Sequence, residues 1–166
     1  MDFALKPLSP EAVPRALEKA ERYRLLNEAR EAESICRDVL LAEPGNVRAL
    51  TTLALALSDQ FLDGAVGKAA ADADAVVRLL PDPYDRAYFG GLIAERKAKA
   101  LHKRGAAGFA VWEGLKRAMV LFEEAERLRP AGNDDAILRW NTCARIVMAD
   151  ARVRPEGPVE EHPLLE

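Results

Sequence analysis

The sequence predicts an all-α chain, a stack of antiparallel helix hairpins, and three observations predict it. Alanine, leucine, glutamate and arginine dominate the 166 residues while β-branched and aromatic residues are sparse, so propensity summed over most windows favours helix. Turn signals recur at intervals: Glu43-Pro44-Gly45-Asn46, Asp63-Gly64, Pro81-Asp82-Pro83, Gly105 to Gly108, and Pro130-Ala131-Gly132-Asn133. Three phrases share one skeleton, an alanine, a packing residue four positions on and a proline eight further: Ala32, Cys36, Pro44; Ala69, Ala73, Pro81; Ala118, Phe122, Pro130. Such a skeleton is the second half of a helix-pair repeat.

Taken in order, the helices are expected at 12–26, 28–43, 47–60, 64–80, 83–104, 108–129 and 133–151. Pro14 pushes the start of the first towards Val13, because proline is tolerated only in a first turn. The second carries Ala32 and Cys36 and stops at Pro44. Asn46 caps the third by accepting backbone N–H bonds, and the fourth shows a buried stripe of Val66, Ala69, Ala73, Val76 and Leu80. Asp82 caps the fifth, with Pro83 in its first turn. Trp112, Leu115, Met119 and Phe122 give the sixth its apolar stripe, and the seventh follows the break at Pro130. Residues 1–152 form one domain. Beyond Arg152, prolines and glutamates predict a flexible acidic tail over 153–166.

A formal net charge of −3 carries no general nucleic-acid footprint, so nucleic acid is not an expected partner. Met1 to Pro10 has no basic region followed by an apolar core, and no segment offers eighteen uninterrupted apolar residues, which points to a soluble cytoplasmic protein without a membrane partner. Cys36 and Cys143 stand in no CxxC and beside no histidine at ligand spacing. They are expected as buried, reduced thiols in the first and last units of the stack.

The pattern resembles the tetratricopeptide repeat family, a helix pair of about 34 residues with a small residue at the eighth position of the first helix and A-x3-F followed by proline in the second. Ala20, Ala54 and Gly91 fall at that eighth position, and Tyr23 and Leu57 at the bulky eleventh. Pro44, Pro81 and Pro130 lie 37 and 49 residues apart, so the third hairpin is about fifteen residues longer than a standard unit. Lys19, Gly90 and Arg139 depart from the family by standing where leucine is usual. The resemblance implies a right-handed α-α superhelix of about three hairpins, closed by a capping helix in which Trp140 occupies the eighth position. It also implies a concave groove lined by the first helix of each pair: Leu17, Glu21, Arg24 and Leu25; Arg48, Thr51, Leu55 and Ser58; Tyr88, Leu92, Glu95 and Arg96; Ile137, Asn141 and Arg145. Its floor would be apolar on Leu17, Leu55, Tyr88 and Leu92, with arginines at the edges and Arg48 or Arg96 ready to meet a carboxylate. The lysines and asparagines with which some members grip a C-terminal carboxylate are replaced here by Leu17, Glu21, Thr52, Asp85 and Phe89.

No catalytic set emerges. His102 sits among lysines, Ser9, Ser34 and Ser58 lack a GxSxG context, and Gly105-Ala106-Ala107-Gly108 lacks the Lys and Ser or Thr of a phosphate loop. We therefore expect no enzyme activity, no metal and no cofactor. Lys97, Lys99, Lys103 and Arg104 near the end of the fifth helix read either as complements of its dipole or as a docking patch for an acidic partner. The function expected is a protein or peptide adaptor. The alternatives are a homodimer formed through the capping helix and long third hairpin, and a helical small-ligand binder or hydrolase.

Overall fold

A computed structural model describes residues 3–63 and 66–156. Among these residues the chain forms seven α-helices and no strand: α1 (Val13–Leu25), α2 (Ala29–Ala42), α3 (Val47–Asp59), α4 (Val66–Val77), α5 (Pro83–Lys103), α6 (Gly108–Leu128) and α7 (Asp135–Ala149). Short 3-10 turns at Pro10–Ala12 and Gln60–Leu62 lead into α1 and out of α3. Every expected helix is present.

The helix ends follow local chemistry. Asn46 Oδ1 accepts the Ala49 N–H at 2.9 Å and Asp82 Oδ1 accepts the Tyr84 N–H at 2.7 Å, the two caps expected from sequence. Asn27, at φ 62°, ends α1 in the left-handed conformation, a turn that neither glycine nor proline marks. The fourth helix stops at Val77 rather than at residue 80, and Leu80 turns inward to 1 % exposure. Gly64 of the expected Asp63-Gly64 turn lies outside the described residues.

Each helix packs on the next, and α1 also touches α3, α3 touches α5 and α5 touches α7. The odd-numbered helices thus form one continuous row. One apolar cluster joins α1 to α4 through Ala20, Ala32, Cys36, Leu50, Ala54, Leu57 and Ala73, and takes in Ile93 and Ala100 of α5. A second joins α5, α6 and α7 through Ala98, Val111, Leu115, Phe122 and Cys143. Val13, Leu17, Val39 and Ala49 close the N-terminal end. The expected small residues Ala20, Ala54 and Gly91 are all buried, where a larger side chain would hold the helices apart.

At 21 residues each, α5 and α6 are far longer than the 12 to 14 of α1 to α4. At 1.5 Å per residue they reach about 11 Å beyond the shorter hairpins. They run antiparallel at close range: a Cβ on Gly91 would stand 2.7 Å from the Phe122 ring, and one on Gly114 would stand 2.9 Å from the Ala98 methyl. Val111 in the extended part is fully buried, whereas Phe109 remains 45 % exposed.

The chain after α7 folds back over this hairpin. A Cβ on Gly108 would lie 1.8 Å from the Arg152 carbonyl oxygen, so a side chain at 108 and the turn after α7 exclude one another. Val153, the first residue of the expected tail, is 2 % exposed and belongs to the second apolar cluster, so packing continues past the expected boundary at 152. Residues 157–166 of that tail lie outside the described residues.

Candidate functional site

The row of odd helices carries every residue expected in the groove, but distributes them differently. Leu17 on α1 and Leu92 on α5 are 3 % and 6 % exposed and pack into the interior. Leu55, Tyr88, Ile137 and Asn141 remain partly exposed, as do Glu21, Arg24, Thr51 and Arg96, and Arg48 is exposed. The expected apolar floor is therefore broken. Between its leucines the helices are joined by ion pairs, because each hairpin places charged side chains against the next odd helix instead of at the rim.

Three such links cross the row. Arg48 of α3 grips Glu21 of α1 with two parallel bonds, Nε to Oε1 at 2.6 Å and Nη2 to Oε2 at 2.7 Å. This geometry, through the Arg48 hydrogen bond, lowers the Glu21 pKa from its ordinary value. Asp59, at the end of α3, accepts from Arg24 Nε of α1 at 2.8 Å and from Arg96 Nη1 of α5 at 2.5 Å. Arg96 Nη1 also donates to Ser58 Oγ at 2.6 Å. Farther along, the Glu95 carboxylate of α5 is fully buried, paired with Lys99 one turn on and with Arg139 of α7, whose Nη2 lies 2.7 Å from Oε2.

Tyr88 stacks on Tyr84 with ring centroids 5.8 Å apart and meets Phe89 edge-on at 5.3 Å. The Tyr84 hydroxyl accepts a hydrogen bond from Asn133 Nδ2 at 2.9 Å, tying α5 to the start of α7. Trp140 is partly exposed, and its indole N–H donates to Glu123 Oε1 at 3.0 Å.

The four cations expected as one basic patch are divided. Lys97 borders a cleft of about 320 Å³ with Asp74, Glu113 and Arg117. Lys99 pairs inward with Glu95. Lys103 and His102 rim a second, largely apolar cleft of about 380 Å³ floored by Val111, Leu115, Ile146 and Ala149. Arg104 turns away to donate from Nη2 to the Phe61 and Leu62 carbonyls at 2.8 and 3.1 Å. Along α5 these residues project in several directions around the helix, which divides a run that is contiguous in sequence.

No sequence pattern marks Asp59, and Arg139 is marked only as a departure from a leucine position. That departure was the available signal: a charge at a position that usually faces a neighbouring helix implies a partner on that helix.

Cys36 and Cys143 are free and buried. Burial pushes both thiols up to about 12. Because the folded value lies above the unfolded one, the stabilisation is complete below about pH 8.5 and is lost as pH rises towards the folded value. Neither thiol is expected to react with Ellman's reagent in the native protein at about pH 8, and both react once roughly 6 M guanidinium chloride unfolds the chain. Prompt reaction of the native protein would contradict the burial of these residues.

Among the described residues, no group of three or more His, Cys, Asp or Glu is placed to hold a metal ion, and no helix is long and apolar enough to cross a membrane. No protein-family model matches the chain, and no curated protein or solved structure matches it significantly. The tetratricopeptide resemblance thus rests on the residue pattern alone.

Proposed function

We propose that this protein is a non-catalytic interaction adaptor of tetratricopeptide-like architecture, a right-handed superhelix of three hairpins and a closing helix that takes up a peptide or helix along α1, α3, α5 and α7. One observation carries this reading: the four odd helices touch in sequence and bring Thr51, Leu55, Tyr88, Ile137 and Asn141, all partly exposed, onto one row. Alternating apolar and polar groups on a preformed surface suit an extended or amphipathic segment. The absence of catalysis is part of the proposal, supported by ionisable groups on this face that pair with one another as links between helices. The setting proposed is cytoplasmic, with neither membrane nor nucleic acid as partner.

Selection of a random twelve-residue peptide library on the immobilised protein tests the reading. Selected peptides are expected to shift backbone amide resonances of the odd helices and to lose binding in Leu55→Glu and Tyr88→Ala. Shifts confined to α2, α4 and α6 would refute it.

A homodimer has its own supporting observation. Leu138 and Met148 on α7 are 61 % and 77 % exposed, on the helix that ends the stack, where a closing helix ordinarily turns a polar face to water. Light scattering after size-exclusion chromatography decides: a dimer disrupted by Leu138→Glu and Met148→Glu supports this reading, and a concentration-independent monomer removes it.

A further inference from the structure

We propose that the apolar cleft between the ends of α5 and α7 receives this chain's own residues 157–166, with the Leu164 and Leu165 side chains in the cleft and the neighbouring glutamates against its basic rim. The proposal goes beyond the groove reading and does not depend on it.

The cleft has a defined shape. Val111 and Leu115 of α6 form its floor, Ile146 and Ala149 of α7 one wall, and His102 and Lys103 of α5 the other. Its volume of about 380 Å³ lies at the small end of ligand sites, about 300–1,000 Å³, and suits a pair of aliphatic side chains better than a helix about 10 Å across. Water gains little from such a lining, and covering it with apolar groups is favourable.

The chain is delivered to this place. Asp150 lines the cleft, and together with His102 it also lines an adjoining hollow of about 90 Å³ beside Arg152 and Val153. Val153 is buried, and the described residues stop three positions later at Glu156. Pro155-Glu156-Gly157-Pro158 is a turn signal, and Gly157 lies midway between Asp150 and Leu164. A reversal there returns Leu164 and Leu165 to the level of Asp150, which already borders the cleft. A segment on so short a tether has an effective concentration in the millimolar range, so weak contacts suffice to seat it.

Charge is complementary as well. Glu160, Glu161 and Glu166 flank the two leucines, and residues 157–166 contain neither lysine nor arginine. On the rim, Lys99 is held by Glu95, but Lys103 is exposed and pairs with no side chain among the described residues. The one acid of the rim, Asp150, is already answered by Arg152, which reaches its two oxygens at 3.0 and 2.7 Å. An acidic segment with an apolar end therefore fits this cleft better than a basic one.

Nuclear magnetic resonance on the methyl-labelled full chain tests the proposal. Overhauser contacts are expected from the Leu164 or Leu165 methyls to those of Leu115 and Ile146, and they should persist on dilution. The double variant Leu164→Ser with Leu165→Ser should abolish these contacts and shift the Leu115 and Ile146 methyl resonances. A fluorescent synthetic peptide of residues 157–166 is expected to bind that double variant at least tenfold more tightly than the unaltered chain, whose own segment competes for the cleft. Ala149→Trp, which fills the cleft from an exposed position, should weaken the peptide at least tenfold when added to the double variant. Lys103→Glu, added in the same way, should weaken it and reduce its salt dependence. Leu79→Ser, at an exposed leucine after α4, should leave it unchanged. Circular dichroism checks that each variant is folded, and Lys103→Glu decides if Ala149→Trp is not. Absence of the contacts in the full chain, or equal peptide binding by the double variant and the unaltered chain, overturns the proposal. Contacts found only between differently labelled copies would assign the cleft to the segment of a second copy, and contacts to Thr51 and Leu55 of α3 would move the segment onto the odd-helix row; either result overturns it too.

Discussion

Glu95→Ala lowers the free energy of unfolding by about 3 kcal/mol, because removal of one member of a buried charge group leaves its partners uncompensated. Glu95 is wholly buried, but Lys99 and Arg139 are 40 % and 31 % exposed, so water screens part of the loss and places it at the lower end of the usual range. Urea denaturation measures the change, and a loss below about 1 kcal/mol would mean that the carboxylate is hydrated in the folded protein. The double variant Glu95→Leu with Arg139→Leu recovers most of the stability, since apolar groups of similar volume can replace a buried pair. If the double variant is less stable than Glu95→Ala, the link has a role in packing α7 on α5 that its charge does not explain.

Phe122→Ala has a larger effect still, about 4 kcal/mol, because it empties the ring's place between α5 and α6 in the second apolar cluster. The opposite change, Gly91→Ala, pushes a methyl to within 2.7 Å of that ring and costs about 2 kcal/mol by overpacking. The two positions are in contact and so should couple. Gly91→Ala combined with Phe122→Leu is expected to be clearly less destabilised than the sum of the single changes, and additive values within about 0.5 kcal/mol would show that the helices separate freely at this level.

The helices were legible because propensity, period and punctuation agree over most of the chain. Asn46 and Asp82 announce the starts of α3 and α5 through side chains that can accept a backbone N–H, and both do so. The long third hairpin was legible from the distance between Pro81 and Pro130. The turn after α7 was not: Val153 looks like the beginning of a proline-rich tail, and its burial depends on a gap at Gly108, far away in sequence.

The candidate face was legible in part. Helical position identifies which side of α1, α3, α5 and α7 is turned to the row, but not how deeply each residue sinks between its neighbours. Leu17 and Leu92 are drawn into the interior while Arg96, on the same helix as Leu92, stays at the boundary and reaches across to Asp59. Depth depends on the spacing between hairpins, which a single repeat does not encode. The Arg139 to Glu95 link bridges 44 positions, and only the departure of Arg139 from an apolar position hinted at it.

Both ends of α7 are tied to the hairpin before it. At its start, Arg129 pairs with Asp134 and Asn133 donates to the Tyr84 hydroxyl; at its finish, Asp150 lies 3.7 Å from His102 while Val153 fits beneath the same hairpin. A helix hinged at one end could swing away from α5, but a helix latched at two ends keeps its spacing from α5 fixed. On the proposed reading, a peptide docking along the odd helices would meet a face whose width is set before any individual contact is made.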